Sequence, residues 1–166
     1  MIYTIEKIAS IVDGNLLMKD YNNLVVKELL FDSRLLISAE NTLFFSLKSS
    51  RNNGDKYIED LYDKGVRAFV VEDSPYIRDF YETKNDAAFV VVGSTLKALQ
   101  DIATYHRTKF NIPIIGLTGS NGKTIVKEWL YQILSPEKAV VRSPKSYNSQ
   151  IGVPLSVWQL NETHEI

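Results

Sequence analysis

The segment Thr118–Thr124, with the sequence Thr-Gly-Ser-Asn-Gly-Lys-Thr, has the residue types that bind a chain of phosphate groups. Its glycines let backbone N–H groups approach phosphate oxygens, and a helix that begins here adds unpaired donors and the positive end of its dipole. Lys123 would reach the β- and γ-phosphates of a nucleoside triphosphate, and the hydroxyl of Thr124 would ligate Mg²⁺. The segment therefore predicts a triphosphate site.

The glycine spacing differs from that of the commonest phosphate-binding loop. That loop has a glycine five positions before the glycine that precedes the lysine, and Leu117 stands in that place. The glycines are instead Gly116, Gly119 and Gly122. A tight strand-to-helix turn with a solvated lysine is the alternative interpretation. The apolar run before the loop, the helical pattern after it and the Gly-Lys-Thr core together favour phosphate binding.

A buried strand before the loop and a helix after it must hold these residues in place. Apolar runs and helical periodicity alternate along the chain. They predict strands at about 24–31, 43–47, 68–71, 87–92, 114–117 and 139–142, and helices at about 5–12, 57–64, from 75, from 94 and at 123–134. Alternating strands and helices predict an α/β fold with a parallel sheet. Because the alternation restarts at Ala87, we expect two units, 1–88 and 89–166, that meet near Asn85–Ser94.

Composition and charge argue against several classes of protein. The 166 residues are 45% hydrophobic and 23% charged, as in an ordinary globular protein, and the net charge of −1 offers no basic face for nucleic acid. No apolar run approaches the ~20 residues of a membrane span. The absence of cysteine excludes disulfides and thiolate metal sites. We therefore expect a cytoplasmic protein that neither binds nucleic acid nor inserts into a membrane.

Several motifs resemble the Mur ligases of bacterial cell-wall synthesis, and the resemblance covers essentially the whole chain. The loop Thr118–Thr124 has the glycine spacing of that family's ATP-binding motif. Three segments upstream and one downstream also resemble it: Phe31–Arg34, Leu43–Leu47, Asn53–Ile58 and Asn148–Pro154. Two residues depart from the family pattern, since Ile125 replaces a usual second threonine and Ser149 a common second asparagine.

The resemblance implies a fold and a reaction. Residues 1–88 would form a small α/β domain that holds the UDP end of a sugar nucleotide, and 89–166 would begin a parallel-sheet ATPase domain. Lys127-Glu128 and the Ile-Gly-Val-Pro run from Ile151 favour the family's ligase that joins D-alanyl-D-alanine to UDP-N-acetylmuramoyl-tripeptide. The substrate carboxylate would attack the γ-phosphate of ATP, and the dipeptide amine would displace phosphate from the acyl phosphate. Because this chemistry also needs further ligase domains of a parent chain, we expect the 166 residues alone not to catalyse ligation.

The same resemblance assigns residues to the two ligands. Lys123 would be the catalytic cation and Thr124 the metal ligand; the contacts to ATP would come from Gly119, Ser120, Asn121, Gly122, Lys123 and Thr124. The sugar nucleotide would meet Ser33, Arg34, Lys48 and Asn148. Each of these has a simpler alternative, because Asp32-Ser33-Arg34 could be a plain turn, Lys48 a solvated charge and Asn148 a helix cap.

Other residues and functions stay open at this point. His106 is expected at a surface or helix end, and Trp129 and Tyr131 are expected to pack rather than to stack on adenine. Another ligase of the superfamily, which adds the preceding amino acid, is an alternative function. A folate polyglutamate synthase fits less well because of the Asp-Ser-Arg element. A non-catalytic nucleotide-binding module is the alternative from another class.

Overall fold

The computed structural model describes residues 2–20, 23–49, 52–144 and 147–166. It divides into two compact units, Met1–Ile102 (unit 1) and Ala103–Ile166 (unit 2). The strands β1 to β9 are Tyr3–Thr4, Asn15–Met18, Val25–Val26, Glu28–Leu30, Thr42–Phe45, Lys48–Ser49, Asn52–Asn53, Ala68–Glu72 and Ala88–Val92. The helices α1 to α6 are Ile5–Ile11, Ile58–Asp63, Pro75–Thr83, Thr95–Arg107, Lys123–Leu134 and Gly152–Val157, and two short 3₁₀ helices are Ser33–Leu35 and Gly54–Tyr57.

Unit 1 is built on a five-stranded sheet with the order β2-β9-β8-β5-β4. Strands β4, β5, β8 and β9 run parallel, and β2 adds an antiparallel edge beside β9. All four residues of β5 are buried, and so are the first four of β8, which explains their continuous apolar sequences. The loops after the four parallel strands therefore meet at one edge of the sheet, the carboxyl edge.

Aromatic side chains fill the core of unit 1. Phe44, Phe69 and Phe89, from three neighbouring parallel strands, are fully buried. The rings of Phe69 and Phe89 stack with their centroids 5.1 Å apart, and Phe80 of α3 meets Phe89 edge-on at 6.0 Å. Ser74 caps α3 by accepting a hydrogen bond from the N–H of Ile77. The helix is thus fixed at its start with its aromatic face on the sheet.

The α/β class with a parallel-rich sheet is confirmed, but the expected junction of the two units is not where the structure divides. The expected division after residue 88 would cut through β9, which pairs with β8 on one side and β2 on the other. The division into compact units falls instead between Ile102 and Ala103, inside α4. The roles assigned to residues 1–88 and 89–166 stay predictions.

Unit 2 contains the predicted helix at its predicted bounds, α5, but not the predicted strands. In 103–144 and 147–166, neither Ile114–Leu117 nor 139–142 belongs to a strand. Ile114 and Ile115 are 57% and 50% exposed. The segment 139–142 does make backbone hydrogen bonds with the last residues of the chain, from Glu165 N to the carbonyl oxygen of Ala139 at 2.7 Å and from Val141 N to that of Ile166 at 3.0 Å, but they do not extend into a strand. A strand requires a continuous ladder with a neighbour, and none forms along Ile114–Leu117 in this part of the chain.

Within the described residues, the helices are too short or too polar to cross a lipid bilayer.

Candidate functional site

The glycine-rich loop of unit 2 turns sharply into α5. Gly119 and Gly122 have φ angles of +136° and +80°, which L-residues with a side chain rarely adopt. Gly122 stands at the cap position of α5, so no cap side chain covers the start of the helix. Backbone donors and the positive end of the dipole at this terminus suit an anion.

Lys123, the first residue of α5, places its ammonium group over this loop. The Nζ atom donates to the carbonyl oxygen of Gly119 and lies 3.5 Å from that of Ser120. Ser120 and Asn121 of the same turn are exposed. A cation is therefore in contact with the loop at the start of α5, and such an arrangement suits a phosphate group.

A cavity of about 330 Å³ brings Lys123 and Thr124 together with Asn148, a residue far away in the sequence. Most of its wall is apolar, with Leu117, Leu130, Leu134, Val141, Val157 and Leu160 among the lining residues. Asn148 was alternatively expected to cap the closing helix. Its neighbour Ser149 does so instead, because the Ser149 hydroxyl accepts a hydrogen bond from Gly152 N at 3.0 Å. Two of the predicted ATP contacts and one predicted substrate contact thus face one space.

Sequence reasoning missed a charged network beside this cavity. Lys127, which also lines the cavity, donates to the carbonyl oxygen of Ser143 at 2.7 Å and lies 3.3 Å from Glu128. Glu128 also pairs with Arg142, whose guanidinium stacks 3.9 Å from the ring centroid of Tyr131. Burial lowers the pKa of Lys127, and repulsion from Arg142 lowers it further. These contacts hold residues 142–143 against α5. Glu128 and Arg142 are 14 residues apart, and no local sequence pattern predicts such a pairing.

In unit 1, Ser33 and Arg34 lie just beyond the end of β4, at the carboxyl edge. Asp32 caps the 3₁₀ helix by accepting a hydrogen bond from Arg34 N at 3.1 Å, and its two oxygens hold the guanidinium at 2.9 and 2.7 Å. These hydrogen bonds lower the pKa of the Asp32 carboxyl. The side chain of Arg34 is nonetheless 86% exposed. The Asp-Ser-Arg segment is therefore a turn, and it also presents an oriented guanidinium to solvent.

Lys48, the other predicted substrate contact of unit 1, is not a solvated charge. Its Nζ atom lies 3.3 Å from Asp55 and 3.7 Å from Glu72, and the side chain is 29% exposed. Ser33, Arg34 and Lys48 all follow carboxyl ends of parallel strands, where open α/β sheets bind their ligands. Asn148 belongs to unit 2.

Expectations about two single side chains have different outcomes. His106 lies in the last turn of α4, one of the two expected positions, but it is buried rather than exposed at the surface: it is 2% exposed, and its Nε2 lies 2.9 Å from the carbonyl oxygen of Leu160. Its ring packs against Phe110 and Trp158, and burial lowers its pKa. Trp129 is not a packing residue, because it is 61% exposed on the outer side of α5. The amphipathic pattern of each helix did not show which face its neighbours would cover.

A family model, a curated relative and a solved structure that resemble this chain all belong to the Mur ligases. Residues 117–166 match the Mur ligase middle domain. The UDP-N-acetylmuramoyl-tripeptide--D-alanyl-D-alanine ligase of Bacillus subtilis is 31% identical over 163 residues, which are 98% of this chain and 34% of that protein. Crystal structure I of MurF from Acinetobacter baumannii superposes with a TM-score of 0.85 and 26% identity, over 99% of this chain and 34% of that one.

A second similar structure is a complex with a nucleotide. MurF ligase from Thermotoga maritima, in complex with ADP, has a TM-score of 0.68 and 26% identity over 84% of this chain and 30% of that one. The chain spans about a third of the length of the relatives it matches.

Proposed function

Because the chain belongs to the Mur ligase family, we propose that it forms the sugar-nucleotide-binding and phosphate-binding parts of an ATP-dependent ligase that adds D-alanyl-D-alanine to UDP-N-acetylmuramoyl-tripeptide in peptidoglycan synthesis. The name of the Bacillus subtilis relative supports this choice of substrates. The proposal assigns ligand binding, rather than complete turnover, to these residues, because they span about a third of the relatives' length. A cytoplasmic location stays a prediction from the sequence.

The geometry of the loop before α5 is the main support for this proposal. Its two glycines with positive φ, the uncapped helix terminus and the Lys123 ammonium group together form an anion site. The ADP complex of the Thermotoga maritima ligase supports the choice of an adenine nucleotide. In this proposal, backbone N–H groups of Gly119–Thr124 bind phosphate oxygens, and Lys123 offsets the charge of the transferred phosphoryl group.

Thr124 is the protein ligand we propose for Mg²⁺. Its side chain lines the same cavity as Lys123, and a hydroxyl oxygen suits a hard cation. Mg²⁺ commonly takes few ligands from a protein and the rest from phosphates and water. This fits the part of the chain that the structure describes, where no cluster of three acidic or histidine side chains could hold a metal. When bound, the ion would neutralise phosphate charge.

The sugar nucleotide is assigned to the carboxyl edge of unit 1. Arg34 offers an exposed guanidinium held in place by Asp32, and Ser33 lies beside it as a hydroxyl donor. Asn148, which lines the cavity of unit 2, stays a predicted contact. Lys48 was predicted as a further contact, although two carboxylates already surround its ammonium group.

The proposed reaction needs positioning more than acid–base chemistry. A substrate carboxylate attacks the γ-phosphorus of ATP, the bond to the β-phosphate oxygen breaks, and ADP leaves. The amine of the dipeptide then attacks the acyl carbon, phosphate leaves with the electron pair of the C–O bond, and the proton lost by the nitrogen is taken up by the released phosphate. Attack by an anion on a polyanion is repulsive, so a cation at the position of Lys123 has its largest effect where the charges meet.

Titration calorimetry of ADP with Mg²⁺ tests the phosphate site. Lys123→Ala should weaken binding at least about tenfold, the equivalent of one charge-assisted hydrogen bond. Lys138→Ala is the matched control, because Lys138 lies beyond the other end of α5 and pairs with Glu165. Equal affinities of the two variants would refute the assignment of Lys123.

Titration with UDP, followed by NMR, tests unit 1 separately. Arg34→Ala should weaken UDP binding, whereas Arg67→Ala should not. Arg67 also pairs with an aspartate, Asp86, but it precedes β8 and so lies at the opposite edge of the sheet. If Arg34→Ala and Arg67→Ala reduce the affinity for UDP equally, the ligand does not bind at the carboxyl edge.

A further inference from the structure

The loops that follow three neighbouring parallel strands of unit 1 are joined by a polar network. Its members are Ser46 and Lys48 after β5, Asp55 in the second 3₁₀ helix, Glu72 at the end of β8, and Thr95 at the start of α4, which follows β9. We call these five residues the edge network. None of them is adjacent to another in sequence, so the contacts between them fix the loops relative to each other.

Asp55 is the buried centre of the edge network. The side chain of this carboxylate is 7% exposed, yet both of its oxygens are used. One accepts a hydrogen bond from the hydroxyl of the fully buried Ser46 at 2.5 Å, and the other lies 3.3 Å from the ammonium group of Lys48. A buried carboxylate is costly unless it is paired and hydrogen-bonded, so Asp55 strongly favours the loop arrangement that supplies both partners.

Glu72 extends the edge network to α4. Its Oε1 atom accepts hydrogen bonds from Thr95 N at 3.1 Å and from the Thr95 hydroxyl at 3.4 Å. Its Oε2 atom lies 3.7 Å from Lys48 Nζ. A carboxylate at the first turn of a helix also interacts favourably with the helix dipole. Lys48 therefore bridges two carboxylates, each of which holds a different loop.

The charges of the edge network decide what Lys48 can do. One ammonium group stands between two carboxylates, so the local sum is one negative charge rather than a positive one. A phosphate that approached Lys48 would meet this negative charge and would compete with two ion pairs already formed. Arg34, in contrast, pairs with a single aspartate and is 86% exposed.

We propose that Lys48, Asp55 and Glu72 are positioning residues, which hold the loops of the carboxyl edge in the arrangement that receives the nucleoside of the sugar nucleotide, and that Lys48 makes no contact with phosphate. This inference rests on the proposed function of unit 1. It replaces the direct contact predicted for Lys48 by an indirect role. Loosened loops would raise the entropic cost of ordering the site for any ligand seated there, whether or not that ligand carries a phosphate.

Comparison of UDP with uridine separates the two roles. NMR titration of the whole chain gives a Kd for each ligand with the wild type, Lys48→Met and Glu72→Gln. If these residues position the loops, each variant should raise the Kd of UDP and the Kd of uridine by the same factor. We expect a factor of roughly ten, the effect of one or two side chains losing their order. If Lys48 instead contacts phosphate, Lys48→Met should raise the Kd of UDP and leave that of uridine unchanged. That result would overturn the inference.

Further variants keep the test decisive. Lys64→Met removes an exposed ion pair with Asp60 on α2 and should leave both Kd values unchanged. Glu72→Gln has the same shape as the wild type and keeps a hydrogen-bond acceptor for Thr95, so it is expected to fold if Lys48→Met does not. Unchanged Kd values in folded Glu72→Gln would also overturn the inference. A wild type that binds neither UDP nor uridine would instead refute the proposed function of unit 1.

Discussion

Replacement of Gly54 by alanine should destabilise unit 1 and disturb its carboxyl edge. A Cβ atom at Gly54 would lie 2.8 Å from Ser46 Cα, 2.9 Å from Leu47 N and 2.9 Å from Ser46 C. All three are backbone atoms at the end of a buried strand, so no flexible side chain can move aside. Ordinary contacts begin at 3.4 Å, and the two segments must therefore separate by about 0.6 Å.

Two unfavourable contributions and one favourable contribution set the size of this destabilisation. Overpacking in a well-packed region costs about 1–3 kcal/mol, and stretching the hydrogen bond between Ser46 and Asp55 adds roughly 1 kcal/mol. Alanine also restricts the unfolded chain, which returns about 0.4–1 kcal/mol. The net expectation is a loss of about 2 kcal/mol in the free energy of unfolding. For a unit of about 100 residues this lowers Tm by roughly 8–16 °C.

Gly93 offers a matched control in the same unit. A Cβ atom there would meet nothing within 4 Å, so Gly93→Ala should be neutral or slightly stabilising. Urea denaturation followed by circular dichroism, with thermal melts, measures both variants. If Gly54→Ala is as stable as Gly93→Ala to within about 0.5 kcal/mol, close packing of the loop on the strand end is not what requires glycine.

Three further predictions concern the core, the buried histidine and the exposed helix face. Phe89→Ala should lower the free energy of unfolding of unit 1 by about 3–5 kcal/mol in urea denaturation, because the ring is fully buried, and Phe89→Leu should lose clearly less. The pKa of His106 is lowered in the folded state, so stability should fall as the pH drops below about 6.5, by at most about 1.4 kcal/mol per pH unit. The fluorescence of Trp158, 4.7 Å from that ring, reports unfolding, and a His106→Gln variant with the same pH dependence would contradict this origin. Trp129→Ser should raise solubility in light-scattering measurements without changing Tm, because the side chain is 61% exposed; a large fall in Tm would contradict this.

The three central strands of unit 1 could be predicted because parallel strands buried on both faces have continuous apolar sequences. The runs that became β5, β8 and β9 were all visible in this way. The edge strand β2 could not be predicted, because it returns as an antiparallel partner of β9 from far away in the sequence. That pairing joins residues such as Leu17 and Phe89, and no local pattern encodes it.

The candidate sites divide in the same way. The loop before α5 could be predicted because its residue types and spacing lie in one short segment, and Asn148 was added through a second motif. The partners of Lys48 and Arg142 could not be predicted, because each charge is paired with a residue on another element. A sequence shows that a lysine is present, but only the fold shows whether its charge is already neutralised.

Glycine illustrates this limit most directly, because one residue type serves two different physical needs in this chain. Gly119 and Gly122 have open space around a would-be Cβ, and the positive φ of each is what disfavours a side chain. Gly54 has no positive φ, and the neighbouring strand end is what excludes a Cβ. Side chains at Gly119 or Gly122 would therefore strain the turn into α5, whereas a side chain at Gly54 would separate two packed segments. All three glycines lie at turns after polar residues, so the distinction rests on the dihedral angles and distances of the folded chain.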